Sequence, residues 1–582
     1  MNAATANSTS AIVGGASLNA PPLSEKPKIE KPKNGLAGLK HWRHDLLAGF
    51  LVAMVSTPFS IGIAVASGAP PITGLTSAII AGFVLPFLGG SFVTISGPAA
   101  GLAPVLYGGM LLLGQGSLEK GYPLLLPVIM LAGLVQIILS KLKAARFSAM
   151  FPVPVVEGML ASIGLMIIAK QLPTLLGHKF LAHEFWGILK EAPHELLLAN
   201  TTVLALGVST LALIFIIGAL GKNLKIVKLL SPQLFAVAFS TLIAQLFLHL
   251  SPDFMIHIPE NPLAHGIILP DFAGLFEAKH LWVTAITLII TLTLIDGIES
   301  LATINAIDKI DPFRRKSNPD RTLFAMGLSN MSSSLLGGLT IIPGGVKSTA
   351  NILAGGRTQW ANFYNACFLL MFLLFFHQQI SALPLAVLSA VLVYTGYKLC
   401  KPQVWLAVCR TGWDQFLLFT VTVLLTLATD LMWGILGGVA FAFLMNAMIL
   451  WQINQTSQGK RTRNRAWLMA MFKNPVSARE FDGATYQLTF EGPLVCFNYL
   501  HLIQEFKRIP TEATHVVLLI TNKVLMVEHT ILDNLAHWMQ QYQEETATFV
   551  ELVGLNQLQK TAVSLHSTHI LGEDEQQMMM AG

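Results

Sequence analysis

Gly344-Gly345-Val346-Lys347-Ser348-Thr349 is a glycine-rich break carrying one lysine, set in a chain that otherwise reads as membrane. Two consecutive glycines interrupt the regular backbone and leave N–H groups free where the next short helix opens. The positive end of that helix and the Lys347 ammonium together make an anion site inside the bilayer. A lysine near the membrane surface can instead snorkel to water. Lys347, however, lies within the break itself, and broken spans in corresponding halves of a chain point to a transport site.

Outward from this stretch, composition fixes the class. With 582 residues, 53% hydrophobic, 12% charged and a mean hydropathy of +0.60, the chain is too apolar for a soluble protein of this length. Apolar runs of roughly 17 to 25 residues, each able to cross a ~30 Å hydrocarbon core, fill Leu46 to Trp451. The pattern predicts an α-helical, multi-pass membrane protein of about 14 spans, two of them broken or short. Residues 1–40 are polar, basic and rich in Ser, Pro and Lys, and lack the apolar run of a cleavable signal peptide. They read as a disordered cytoplasmic leader before a transport region over residues 41–455. The cysteines Cys367, Cys400, Cys409 and Cys496 form no C-x-x-C and no cluster with spaced histidines, so they read as reduced and inert. No cofactor is expected, and no metal beyond a transported sodium ion. A net charge of +5 does not call for nucleic acid, because the basic residues gather beside spans.

Those clusters orient the chain. They fall at Lys26 to Arg43, Lys141/Lys143/Arg146, Lys222/Lys225/Lys228, Arg314/Arg315/Lys316, Lys398/Lys401/Arg410 and Lys460/Arg461/Arg463/Arg465. Placed in the cytoplasm, they put both termini inside a bacterial-type inner (plasma) membrane and make the span count even. The less basic loops Gly177 to Asn200 and Ser251 to Asp271 then face outward, and His183, Phe185 and Trp186 read as an interfacial helix. After Trp451 comes a basic linker, residues 456–480. Alternating runs then predict a cytoplasmic α/β domain over 481–572. Its strands are Tyr486–Phe490, His515–Ile520 and Thr548–Val553, and its helices Phe497–Ile509, Glu528–Gln543 and Asn556–Leu565. The acidic, Met-rich tail 573–582 is expected to fray.

Three further places carry chemistry. Pro58 in Thr57-Pro58-Phe59-Ser60 removes a helix hydrogen bond, and the hydroxyls of Thr57 and Ser60 can serve the freed carbonyls or a ligand; a plain kink is the alternative. Ser96-Gly97-Pro98-Ala99-Ala100-Gly101 suits a helix begun in mid-membrane with its N–H groups aimed at what is bound, or else an ordinary loop. Asp296 and Glu299 share one helix face by their i, i+3 spacing, with Thr303 a turn further on. Charges inside a span are costly unless paired, hydrated or functional. One carboxylate could pair with Lys347; otherwise at least one carries a coupling proton or sodium ion.

At this point the order Asp45-x-x-Ala48-Gly49, Thr57-Pro58-Phe59-Ser60, Ser67-Gly68-Ala69-Pro70-Pro71, Ser96-Gly97-Pro98, Glu299-Ser300, Gly327-Leu328-Ser329-Asn330, Leu336-Gly337-Gly338 and Asn351 to Arg357 resembles the sulfate permease (SulP, solute carrier 26) family. The resemblance covers nearly the whole chain. It implies 14 spans in two inverted seven-span repeats, a core domain rocking against a gate domain, and substrate held between the facing N-termini of the third and tenth spans. It also implies a C-terminal STAS-like domain opening with the strand Tyr486–Leu494, and a homodimer. Carried over by position, Pro98 and Ala99, with Ser96, Gly97 and Ala100 beside them, line one half of the site. Gly345, Val346, Lys347 and Ser348 line the other, facing Thr57, Phe59 and Ser60. Glu299 matches the family's eighth-span carboxylate, with Asp296 and Thr303 beside it as cation-coupling residues. Lys347 stands where many members carry arginine, keeping the charge but not the bidentate fork. Phe59 stands where many have glutamine, which leaves substrate choice open. Glu528-His529-Thr530-Ile531 departs from the usual Asp-Ser-Ser/Thr-Gly, so phosphorylation there is not expected.

The sequence thus points to a secondary active transporter of a small inorganic oxyanion, bicarbonate or sulfate, coupled to sodium or protons and not an enzyme. Anion exchange and proton-coupled dicarboxylate transport are alternatives of the same class. A membrane sensor or scaffold signalling through the STAS-like domain is the alternative of another class.

Overall fold

The computed structural model describes residues 31–178, 180–182, 184–220, 232–248, 250–259, 267–457, 466–562, 564 and 567–571. Most of the expected leader, the Lys222/Lys225/Lys228 cluster, His183, the linker residues 458–465 and the tail lie outside the described residues.

Prolines and glycines punctuate the helices. α1 (Trp42–Ala66) turns at Gly68, whose φ of +74° suits a residue without Cβ, into α2 (Pro71–Leu88), where Pro71 occupies the first turn at no hydrogen-bonding cost. The third membrane segment is broken into strand β1 (Ser96–Pro98) and helix α3 (Ala103–Leu113). The first half is completed by α4 (Leu118–Lys141), α5 (Val153–Leu176), the connecting helix α6 (Phe185–Leu197), α7 (Thr201–Leu220) and α8 (Pro232–Ile243). The second half repeats this plan. Its elements are α9 (Trp282–Ile310), α10 (Pro319–Leu335), a broken segment of β2 (Ile341–Pro343) and α11 (Gly345–Leu353), then α12 (Trp360–Phe375) and α13 (Leu385–Leu399). The connecting helix α14 (Pro402–Thr411), α15 (Trp413–Ala428) and α16 (Leu431–Ser457) follow. Setting aside α6 and α14, which occupy matching places, the described residues form 14 membrane segments. Among the described residues, seven helices are long and apolar enough to cross a membrane individually.

The packing shows the inverted repeat. α4 lies on α10 as α12 lies on α2, and α4 meets α9 as α12 meets α1. Likewise α5 meets α15 as α13 meets α7, while α5 and α13 pack on each other. β1 and β2 pair antiparallel, Ser96 opposite Pro343, Gly97 opposite Ile342 and Pro98 opposite Ile341, as two copies related by a two-fold axis in the membrane plane must. Small residues let the backbones close. A Cβ on Gly133 of α4 would meet the Gly327 carbonyl of α10, and one on Gly164 of α5 would meet the Gly396 carbonyl of α13. The result is a core of α1–α4 and α9–α12 against a gate of α5, α7, α8, α13, α15 and α16.

Two expectations shift at the ends of the membrane region. Residues 31–40 are not free leader: Arg315 Nη1 donates to the Pro32 carbonyl at 2.9 Å and Trp360 Nε1 to the Gly35 carbonyl at 2.8 Å. The segment expected as linker contains β3 (Val476–Phe481), antiparallel to β4 (Thr485–Phe490).

The C-terminal region is STAS-like. After β4 come α17 (Tyr499–Phe506), β5 (His515–Ile520), β6 (Met526–Val527), α18 (His529–Thr546), β7 (Phe549–Val553), β8 (Leu558–Lys560) and β9 (His569–Leu571), with sheet order β3-β4-β5-β7. Tyr486, Leu488, Phe490, Val516, Leu518 and Ile520 alternate inward onto the two helices. The expected opening strand stops at Phe490 because Glu491-Gly492-Pro493 turns the chain, and Leu494 bridges Val527 instead. The helix expected over Asn556–Leu565 is overturned: Leu558–Lys560 forms β8 on β9, tertiary pairing overriding a weak local preference. In α17 the Glu505 carboxylate accepts from Arg479 Nε at 2.6 Å, Asn474 Nδ2 at 2.9 Å and Arg508 Nη1 at 3.1 Å. The domain sits on the gate. Leu450 of α16 is buried with Met471, Val495 and Met526. Thr530 Oγ1 accepts from the Val153 N–H that opens α5, at 3.2 Å, and Thr568 Oγ1 donates to Asp414 Oδ2 at 2.8 Å, at the start of α15.

Candidate anion-binding site

The two broken segments meet where β1 crosses β2. The strand pair continues past its ends: Gly344 N–H donates to the Ile95 carbonyl at 2.8 Å and Ala99 N–H to the Thr340 carbonyl at 3.1 Å. Ser348 Oγ accepts from the Ile95 N–H at 2.9 Å and donates to the Gly344 carbonyl at 2.7 Å, pinning the first turn of α11 to β1. Two expectations change in detail. Ser96-Gly97-Pro98 is strand rather than helix start, α3 beginning at Ala103 with Pro104 in its first turn, and the Ala99 N–H is already occupied. On the other half the expected start holds, since Gly344 caps a helix that begins at Gly345.

Lys347 reaches back from the first turn of α11 across the strand pair. It is 1% exposed, its Nζ lies 3.3 Å from Ser60 Oγ and 5.6 Å from the centre of the Phe59 ring, and a Cβ on Gly97 would occupy the place of the ammonium. Among the described residues no carboxylate lies within ion-pair distance of it, so the pairing with Asp296 or Glu299 that the sequence left open is not made. A buried ammonium without a counter-charge is costly and calls for an anion. Thr57 donates its hydroxyl to the Ala53 carbonyl at 2.8 Å, serving its own helix beside Pro58. Phe59 and Val346 instead line a recess of about 10 Å³ with Val55 and Pro58 of α1, Gln233, Leu234 and Val237 of α8, and Val391 of α13. That room suits about one water, so core and gate are closed on each other here. Ser96 is buried with its hydroxyl unpartnered; Ala99 is buried and Ala100 half-buried.

On α9 the two carboxylates have different company. Asp296 Oδ1 accepts from Ser300 Oγ at 3.0 Å and Oδ2 from Asn330 Nδ2 at 2.6 Å. Asn330 Nδ2 also donates to Gln136 Oε1 at 3.0 Å, and its side-chain Oδ1 accepts from the Ile341 N–H at 2.6 Å. Asp296 thereby belongs to a network centred on Asn330 that fixes the start of β2 across α4, α9 and α10. Glu299 is buried against Gly101, whose N–H faces it, and its Oε2 has no partner. A Cβ on Gly101 would fall on the carboxylate. Thr303 is half-buried one turn on. Thus Lys347 and Glu299 meet the same broken segment, one at Gly97 and one at Gly101.

The roles of Asn330, Gln136 and Gly101 escaped sequence reasoning. Asn330 and Gln136 are amides inside apolar helices, a signal of the same kind as a buried carboxylate. Gly101 has no signal beyond being glycine.

A family model for the sulfate permease family matches residues 42–422. YvdB of Bacillus subtilis, named for sulfate transport, is 25% identical over 465 residues, covering 78% of this chain and 81% of its own. The bicarbonate transporter BicA of Picosynechococcus sp. is 26% identical over 405 residues, covering 69% of each chain. Among solved structures, the transmembrane domain of a cyanobacterial BicA superposes with a TM-score of 0.60 at 24% identity, covering 68% of this chain and 97% of that one. The overall structure of SLC26A9 gives 0.60 at 17% identity, covering 88% and 84%. At these identities the likeness is one of fold.

Proposed function

Since this chain belongs to the sulfate permease family, we propose that it is a secondary active transporter of a small oxyanion, sulfate or bicarbonate, coupled to inward movement of sodium ions or protons by alternating access. Relatives named for sulfate and for bicarbonate transport support the substrate class. The observation that carries the reading is the buried Lys347 ammonium, without a carboxylate partner, at the crossing of two broken segments beside the core–gate recess. The anion sits against Lys347 and the free N–H groups of the first turn of α11, with Ser60 and Ser96 as hydroxyl partners. Phe59 and Val346, on the core side of the recess, close it against α8 and α13 of the gate. Glu299, with an orphaned oxygen, takes the cation; Asp296 shapes its surroundings through Asn330, and Thr303 flanks it on the same helix face. Occupation of Glu299 by a cation removes a negative charge from the segment that holds the anion, which couples the two fluxes. In this reading the protein is a homodimer in a bacterial inner membrane with both termini in the cytoplasm.

The test is uptake of labelled sulfate and bicarbonate into proteoliposomes under imposed sodium or proton gradients. One anion should be taken up in response to one cation gradient. Lys347→Ala should reduce uptake to background while the protein stays folded, and Glu299→Gln should leave uptake that no longer follows the gradient. Wild-type uptake by Lys347→Ala would overturn the site. Gradient-independent uptake by the wild type would instead favour exchange.

A further inference from the structure

A second lysine touches the same broken segment from the other domain. Lys170 lies on α5 of the gate, 17 residues after Val153, hence about 25 Å along that helix from the end held by the C-terminal domain. Its Nζ donates to the Pro104 carbonyl in the first turn of α3, at 3.3 Å, and stands 4.6 Å from the centre of the Tyr107 ring, also on α3. Both partners belong to the core. Among the described residues no carboxylate is within ion-pair distance of Lys170. Three charged groups therefore meet one stretch of chain: Lys347 at Gly97, Glu299 at Gly101 and Lys170 at Pro104.

We propose that Lys170 is a second anion-holding cation, which receives the oxyanion on the membrane face away from the chain termini once the gate has parted from α3 there. The proposal rests on the transporter reading above. The contact of Lys170 with α3 crosses the core–gate boundary, so separation of the two domains on that face breaks it. Pro104 keeps its helical hydrogen bonding without the lysine, and a ring face is a weak substitute for a counter-charge. The ammonium is then left in the opening without a protein counter-charge, where a fixed positive charge raises the local anion concentration and prolongs its stay. When the domains close again, the Pro104 carbonyl and the Tyr107 face replace the anion, which moves along the segment to Lys347. A lysine suits this exchange because its three donors rotate on a flexible stem.

The experiment is sided transport by the full chain in proteoliposomes of known orientation. The half-saturating anion concentration is measured on each face in turn, with the opposite face saturated, for wild type, Lys170→Gln and Lys170→Arg. Lys170→Gln should raise the half-saturating concentration on the face away from the termini roughly tenfold and change it less than about twofold on the other; Lys170→Arg should restore it. An unchanged value, or an equal rise on both faces, would refute the proposal. Lys347→Ala, run in parallel, separates the two readings. If it abolishes transport while Lys170→Gln behaves as wild type, only the present inference fails; if it transports normally, the reading of the central site fails with it.

Discussion

A single methyl group distinguishes the two halves of the site. Gly97 and Gly101 are four positions apart, and an added Cβ would displace Lys347 at the first and Glu299 at the second. Gly97→Ala should raise the half-saturating anion concentration by roughly tenfold, about 1.4 kcal/mol, and leave the response to the cation gradient intact. Gly101→Ala should do the reverse: gradient dependence falls while the anion half-saturation moves little. Uptake titrated against anion and against gradient for both variants checks the pair, and identical defects would refute the separation. Burial sharpens these effects, because in a dry site a displaced ammonium or carboxylate finds no water to replace its setting.

Elements hold these residues in place, and Asn330 does so for the largest number of them. Its amide binds Asp296 and Gln136 while its side-chain carbonyl takes the Ile341 N–H, so α4, α9, α10 and β2 share one side chain. Asn330→Ala leaves a buried carboxylate and a buried backbone donor short of partners and should cost about 3 kcal/mol. Its melting temperature in detergent should fall, and its transport should fall with it; an unaltered melt would show that the network is dispensable. The broken segment at Gly344-Gly345 was legible because glycine pairs and a lysine are conspicuous in an apolar run. The carboxylates of α9 were legible for the same reason. The strand pair was not: three residues of Ser-Gly-Pro or Ile-Ile-Pro carry no period, and only contact between distant parts of the chain makes them strands. The same non-locality hid β3 in an apparent linker and turned an expected helix into β8. Periodicity reports what one element buries, and it is silent where a partner supplies the pairing.

At the scale of the whole molecule, the C-terminal domain is fastened to the gate through Thr530, Thr568 and the cluster around Leu450. Its own stability depends on acid. Hydrogen bonds from the Arg479 guanidinium, with Asn474 and Arg508 also contributing, hold the Glu505 carboxyl below its usual range. That stabilisation is present in full above the unfolded carboxyl value of about 4.3 and is lost as pH falls through the lower folded value. Melting of the full chain followed from pH 7 downward should therefore steepen below about pH 4.3, and Glu505→Gln should flatten that part of the curve. No difference between the two profiles would refute the role of the pair.

The antiparallel pairing of β1 with β2 has a last consequence for energy conversion. Because the two lips of the site are bonded to each other through Ser96, Gly97 and Pro98, they move as one piece, and in the proposed cycle the central pocket presents the same lips whichever side it faces. The central pocket is then no rectifier: in the proposed cycle any difference between the two faces comes from groups outside it, such as Lys170, and the direction of net flow follows the coupled gradients.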